Sequence, residues 1–264
     1  MKNGKVEIYI NEMLNTKGAL LFTLIDPEDY KSEESAIKTA KACINGGADA
    51  ILIGGSIGVQ GELLDSVAKN IKDISDIPVI LFPGNIGNVT AYSDAIYFMS
   101  LLNARNPYWI TQAQTLSAPV IKKLGIEPLP VGYIVVHPGG TVGWVGDANF
   151  VPREKPKLAA ALAIAGEFLG NRFILTDAGS NPQLQHEGPV PGEMIRKVKS
   201  VISVPYIVAG GIATITDLKN TLKNGGDIAQ VGTAFENSDK AYKKAKLFSE
   251  IVKEEGLKKL KKER

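Results

Sequence analysis

Pro205-Tyr206-Ile207-Val208-Ala209-Gly210-Gly211-Ile212 and Asp227-Ile228-Ala229-Gln230-Val231-Gly232-Thr233-Ala234 are two short apolar runs, each breaking off at glycine and separated by one helical stretch. An apolar run that ends in glycine reads as a buried strand followed by a turn whose backbone can approach a ligand closely. Two such units in succession near the C-terminus are how the last two strand-to-loop turns of a (β/α)8 barrel grip a phosphate. Such a barrel builds its active site at the C-terminal ends of its strands. The amides of Gly210, Gly211, Gly232 and Thr233 would form the anion nest, helped by the dipoles of the short helices that follow; tight packing of the two turns is the alternative.

Working outward, six further apolar runs precede these two: 19–25, 50–54, 79–82, 95–99, 131–136 and 173–176. Most are continuous rather than alternating, as strands covered on both faces of a parallel sheet should be. Helical stretches are predicted between most of them, over 32–45, 62–72, 107–123, 155–169, 192–201, 216–224 and 239–255. The first opens on Ser32 with acids behind it and stops at Gly46-Gly47, which is favourable capping chemistry at both ends. Alternating strands and helices indicate an α/β chain with a parallel sheet. Eight units in 264 residues favour one closed (β/α)8, or TIM, barrel spanning 1–264. An open doubly wound sheet is the alternative, but no GxGxxG follows the first strand.

One unit departs from the pattern. The segment Pro83-Gly84-Asn85-Ile86-Gly87-Asn88-Val89-Thr90-Ala91-Tyr92-Ser93-Asp94 is too short for a strand connection with a full helix. The third helix is therefore expected to be missing or reduced to a turn. The gap in the wall would either expose an apolar groove lined by Ile86, Val89, Tyr92 and Tyr97 or be filled by a repacked loop. Tyr97, Phe98 and Met99 are candidates for a groove floor or for ordinary core.

Composition narrows the function classes. With 30 basic and 28 acidic residues the net charge is +2, which gives no field suited to a polyanion, and no aromatic-basic interleaving suggests nucleic acid. The single cysteine, Cys43, cannot form an internal disulfide and fits a reducing, cytoplasmic setting. The opening residues carry charges among their apolar positions and lack a secretory apolar core. No apolar run is long enough to span a membrane. The tail Lys258, Lys259, Lys261, Lys262 and Arg264 reads as a solvated helix end that complements the helix dipole, or as a weak peripheral contact with an anionic membrane.

Candidate chemistry collects at the strand ends. Asp26 closes the first run in LIDPED; its hard carboxylate suits Mg²⁺, with a turn-capping role before Pro27 as the alternative. Glu28 and Asp29 read as solvated. Ser56 follows the second run in ILIGGS, where Gly54-Gly55 lets backbone come near a ligand. Asp177, Gly179 and Ser180 follow the sixth run in LTDAGSN and offer a carboxylate beside amide and hydroxyl donors; a plain turn is the other reading. His137 ends the fifth run and could titrate near neutrality or serve position alone, while His186 lies in a polar loop.

Taken together, LIDPED, GGADAILIGGS, PVILFPGNIGNVTAYSDAIYFMSLLNARNPYWI, GYIVVHPGGTVGWVGDA, TDAGS, VPYIVAGGI and AQVGTAF make the chain resemble the geranylgeranylglyceryl phosphate synthases, the archaeal lipid-forming prenyltransferases, over about residues 18–235. The resemblance implies a (β/α)8 barrel with irregular chain in place of the third helix, beside a prenyl groove. It implies transfer of a geranylgeranyl group from geranylgeranyl diphosphate to sn-glycerol 1-phosphate with Mg²⁺ as cofactor. It carries Mg²⁺ binding onto Asp26 and Ser56. Glycerol phosphate binding falls on Leu175, Thr176, Asp177, Ala178, Gly179, Ser180 and Asn181, and on Gly210, Gly211, Gly232 and Thr233. It also implies a homo-oligomer, dimeric or hexameric, for which Trp109 and Trp144 are interface or core candidates.

Within that resemblance Asp26 and Asp177 are the expected catalytic residues, Asp177 orienting the attacking hydroxyl and accepting its proton. The chain departs from the family at this point. The usual Tyr-Leu-Glu-Ala-Gly-Ser-Gly reads Leu-Thr-Asp-Ala-Gly-Ser-Asn over 175–181, and Thr233 stands where Asn is frequent. The rival readings are another phosphate-binding barrel enzyme, such as a sugar-phosphate isomerase, and a non-catalytic binder of a phosphorylated metabolite.

Overall fold

The computed structural model describes residues 4–236 and 238–263. Eight strands, β1 (Leu20–Ile25), β2 (Ala50–Ile53), β3 (Val79–Leu81), β4 (Ala95–Leu101), β5 (Glu127–Val135), β6 (Phe173–Asp177), β7 (Tyr206–Ala209) and β8 (Ile228–Val231), pair in sequence order into a closed barrel. Every pairing is parallel, and closure places Thr23 of β1 beside Val231 of β8. The continuous apolar runs are explained by two cores. Phe22, Leu52, Ile80, Tyr97, Tyr133, Leu175 and Ile207 fill the barrel interior. The alternate residues Leu21, Ile51, Val79, Ile96 and Val231 pack outward against helices, as the two-residue side-chain period of a strand requires.

The outer layer contains α1 (Lys5–Lys17), α2 (Glu33–Asn45), α3 (Gly61–Asp73), α4 (Gln112–Leu124), α5 (Gly140–Val145), α6 (Pro156–Phe168), α7 (Gly192–Lys199), α8 (Ile215–Lys223) and α9 (Ser238–Glu263). Ser32 caps α2 in a reciprocal box with Ser35, the start expected from sequence. The stretch 107–123 divides into a helical turn over Pro107–Trp109 and then α4, which contains Pro119 in its interior. No helix follows β3. Residues 83–94 run as irregular chain, tied by Asn88 Oδ1, which accepts from the amides of Gly84 and Asn85 at 3.0 and 2.8 Å.

Helix α1 was not foreseen. It lies across the floor of the barrel, the end where strands begin. Gly4 gives it no side-chain cap, and Glu127 at the start of β5 accepts instead from the amides of Val6 and Glu7 at 2.8 and 2.9 Å. Three aspartates set just before strands finish the same face. Asp49 accepts from the amide of Leu21, Asp94 from that of Val79 and Asp227 from that of Tyr206, each at 2.8–2.9 Å. Lysines neutralise them: Lys17 on Asp49, Lys72 on Asp94, Lys199 and Lys259 on Asp227.

The basic tail forms the last turns of α9, longer than the helix expected over 239–255, and Arg264 lies outside the described residues. The pairing of Lys259 with Asp227 ties this tail to the barrel floor, opposite the strand C-termini, while Lys258 pairs with Glu254 and Glu255 of the same helix. Among the described residues no helix is long and apolar enough to cross a membrane. Cys43 is a buried free thiol in α2.

Candidate active site

The C-terminal ends of the strands surround one cavity lined by Asp26, Ser56, Asp177, Gly179, Ser180, Asn181, Gly210, Gly211, Gly232 and Thr233. Sequence reasoning had singled out all ten, and the closed barrel brings them together from β1, β2, β6, β7 and β8. Leu175, Thr176 and Ala178 are fully buried scaffold instead. Leu175 packs in the barrel interior, Thr176 turns outward to share a 2.7 Å hydrogen bond with the Tyr206 hydroxyl, and Ala178 joins the outer core.

Asp177 is the last residue of β6 and is buried. Its Oδ1 accepts from the amide of Gly179 at 2.6 Å and its Oδ2 from the hydroxyl of Tyr133 at 2.7 Å. Burial raises its carboxyl above the ordinary range, and these two donors pull against that rise by favouring the ionised form. Tyr133 is the residue that sequence reading missed. It sits opposite Leu175 in the β5–β6 ladder, so a phenol reaches the carboxylate although position 175 carries none. Its own hydroxyl is held well above the usual phenol range, first by burial and then by Asp177.

The glycine turns are backbone-built. Gly210 and Gly211 have φ of +82° and +74°, values that β-carbon-bearing residues avoid. A methyl on Gly210 would stand 2.4 Å from Asp177 Oδ1, and one on Gly211 2.4 Å from Pro182 Cγ. The glycine turn, the carboxylate and the 178–190 loop are thus pressed together. Asn181 has φ +50°, the left-handed conformation that asparagine tolerates.

Asp26 faces the same cavity across from Asp177. Burial foremost, then the charges of Asp29, Glu236 and Asp177, push its carboxyl up to about 7. Its Oδ1 lies against Gly54, where a methyl would approach to 2.5 Å, so the bare backbone at Gly54 leaves room for this oxygen. Among the described residues no three of His, Cys, Asp and Glu converge on a metal position. One carboxylate and one hydroxyl match the donor set of Mg²⁺, which keeps waters and takes its remaining oxygens from substrate phosphates.

A second, apolar groove opens where the third helix is absent. Ile86, Val89, Ile96, Phe98 and Met99 line it on one side, Trp109, Ala113, Ser117 and Ile121 on the other. Ile86, Val89 and Tyr97 are where the sequence put them, and Tyr97, Phe98 and Met99 all contribute to the wall. Tyr92 does not; it lies outside the groove with Lys69 Nζ 5.9 Å from its ring centroid, because the chain has by then descended toward the start of β4. Groove and polar cavity share Ser56, Pro83, Met99, Tyr133 and Val142, so they adjoin along these five residues.

His137 is partly exposed, its Nδ1 4.0 Å from Glu187, and it is not a wall of either space. His186 is exposed on the 178–190 loop, and Glu28 and Asp29 are solvated as expected. Trp109 packs edge-on to Tyr108, whereas Trp144 on α5 is 83% exposed.

A profile described as the PcrB family matches residues 11–252. The chain is 56% identical over 239 residues to the geranylgeranylglyceryl phosphate synthase of Pyrococcus horikoshii, covering 90% of this chain and 91% of that protein. It is 50% identical over 252 residues to that of Thermococcus sibiricus, covering 96% of each. Among solved structures, (S)-3-O-geranylgeranylglyceryl phosphate synthase from Thermoplasma acidophilum, crystallised with its substrate sn-glycerol-1-phosphate, superposes with a TM-score of 0.88 at 32% identity, covering 96% of this chain and all of that one.

Proposed function

The chain belongs to the PcrB family, and we propose from this that it transfers the geranylgeranyl group of geranylgeranyl diphosphate to the 3-hydroxyl of sn-glycerol 1-phosphate, releasing diphosphate. The observation that carries the reading is the adjacency of the two spaces. A polar cavity with a glycine-built nest adjoins an apolar groove, and Tyr133 stands at their junction, bonded to Asp177. That shape accepts one small anionic partner and one long apolar partner and brings their reacting ends together.

The phosphate of glycerol phosphate is placed at the turns of Gly210, Gly211, Gly232 and Thr233, which fixes the glycerol with its free hydroxyl toward Asp177. The prenyl chain follows the groove past Met99 toward Ile121, with roughly 0.8 kcal/mol gained per buried CH₂ equivalent. Asp26 and Ser56 would hold Mg²⁺ together with the diphosphate oxygens. When bound, the ion supplies charge neutralisation for the departing diphosphate.

In the reaction the glycerol oxygen forms a bond to the allylic C1 as the C1–oxygen bond to diphosphate breaks. Asp177 takes the hydroxyl proton, and Tyr133 and the Gly179 amide hold its carboxylate in place. The apolar walls of Phe82, Met99 and Val142 keep water from the cation-like carbon.

A homo-oligomer agrees with the exposed Trp144, Phe168 and Leu169, which no part of the described chain covers. Attraction of the basic tail to a membrane would act at the barrel floor and leave substrate entry unaffected. Crystals soaked with sn-glycerol 1-phosphate test the placement. Phosphate density within hydrogen-bonding distance of the Gly211 and Thr233 amides supports it; density elsewhere contradicts it.

A further inference from the structure

The geometry points to Arg153 as a positioning residue for glycerol phosphate, acting from behind the phosphate turn. Arg153 lies between β5 and α6, lines neither the cavity nor the groove, and has a side chain only 20% exposed. Each of its three guanidinium nitrogens has a partner. Nη1 donates to the carbonyl oxygens of Gly188 and His137 at 2.9 and 3.3 Å, Nη2 to that of Pro189 at 2.7 Å, and Nε pairs with Glu187 at 2.9 Å. Three consecutive residues of the 178–190 loop are thereby clamped to the end of β5.

That loop leaves β6 at Asp177, lines the cavity with Gly179, Ser180 and Asn181, and returns to rest on the phosphate turn. Its two prolines enclose Gly211. A methyl there would meet Pro182 Cγ at 2.4 Å and Pro189 N at 3.2 Å. Arg153 grips the carbonyl of Pro189, so the clamp sets how firmly the Gly211 turn is backed. A planar fork with five donors suits several acceptors at once, and a lysine does not. Without it, three carbonyls and a carboxylate lose their donors and the loop is free to recede from Gly211. The groove wall shares none of these contacts.

This inference rests on the placement of glycerol phosphate at the glycine turns. Steady-state kinetics of Arg153→Met, Arg153→Lys and Gly232→Ala, with KM read separately for each substrate and inorganic phosphate as competitor, test both. Arg153→Met is expected to raise KM for glycerol phosphate and the inhibition constant of phosphate by roughly tenfold, with KM for the prenyl diphosphate unchanged. Arg153→Lys should recover part of the loss. An unchanged KM for glycerol phosphate, or an equal rise for both substrates, overturns the assignment. If Arg153→Met does not fold, the same split read on Arg153→Lys decides. A β-carbon at Gly232 would make only ordinary contact with Leu24, at 3.4 Å, so Gly232→Ala reports ligand approach. If it leaves KM for glycerol phosphate unchanged, the phosphate placement fails and the role of Arg153 with it. If it raises KM while the Arg153 variants do not, only the role of Arg153 fails.

Discussion

The hydroxyl of Tyr133 donates to Asp177 Oδ2 at 2.7 Å across the β5–β6 ladder, at the point where the apolar groove meets the polar cavity. This contact fixes the carboxylate and favours its ionised form, and its removal has a defined consequence.

Tyr133→Phe keeps the ring that packs against Phe82 and deletes only the donor. A proton acceptor works when ionised, so activity falls as pH drops through its pKa. Burial already raises that pKa in Asp177, and losing the hydroxyl raises it further. The acid limb of kcat should therefore move to higher pH, with a fall of roughly 10–100-fold in kcat at neutral pH. A pH–rate profile of both proteins checks the direction of the shift.

Asp26→Asn removes the cavity carboxylate proposed to hold Mg²⁺ at the leaving group. The expected outcome is a loss of at least about 10²-fold in kcat with KM for glycerol phosphate little changed. Mg²⁺ titration of turnover should show that the variant no longer responds to the metal as the parent does.

Ser117 stands midway along the groove wall, between Ala113 and Ile121 on one face of α4. Ser117→Phe fills that level. The variant should lose turnover with the C20 donor by more than about tenfold and keep it with a shorter prenyl diphosphate, since each displaced CH₂ forfeits roughly 0.8 kcal/mol. Competition between donors of two lengths measures the ratio.

At the opposite end, Asp227 holds the amide of Tyr206 and two lysines. Asp227→Ala leaves the amide without an acceptor and should cost about 3 kcal/mol of stability. Both KM values should stay as they were, because the floor is remote from the cavity. Urea unfolding beside kinetics separates the two effects.

Much of this was legible in the sequence, for physical reasons. Most of the eight runs were continuous because each strand is covered on both faces, and the short 83–94 segment left no room for a helix. The strand-end glycines announced themselves because only glycine accepts the φ of positions 210 and 211. Tyr133 was hidden by that same continuity. In the run 131–136 every residue is apolar or aromatic, so nothing tells the inward Tyr133 from the outward Ile134. Arg153 was invisible because its partners at 137 and 187–189 are remote in the chain. Helix α1 was passed over because its charges interrupt the apolar pattern, and its cap comes from Glu127 rather than from a neighbour. Residues 175, 176 and 178 were placed by resemblance of a whole stretch, and strand alternation turns Thr176 away from the cavity.

The most direct test is product formation from geranylgeranyl diphosphate with either enantiomer of glycerol phosphate, with and without Mg²⁺. A metal-dependent ether product from the sn-1 enantiomer, and little from the sn-3, is the predicted result. Equal use of both enantiomers, or glycerol phosphate bound with no ether formed, would contradict the reaction assigned to Asp177 and the glycine nest.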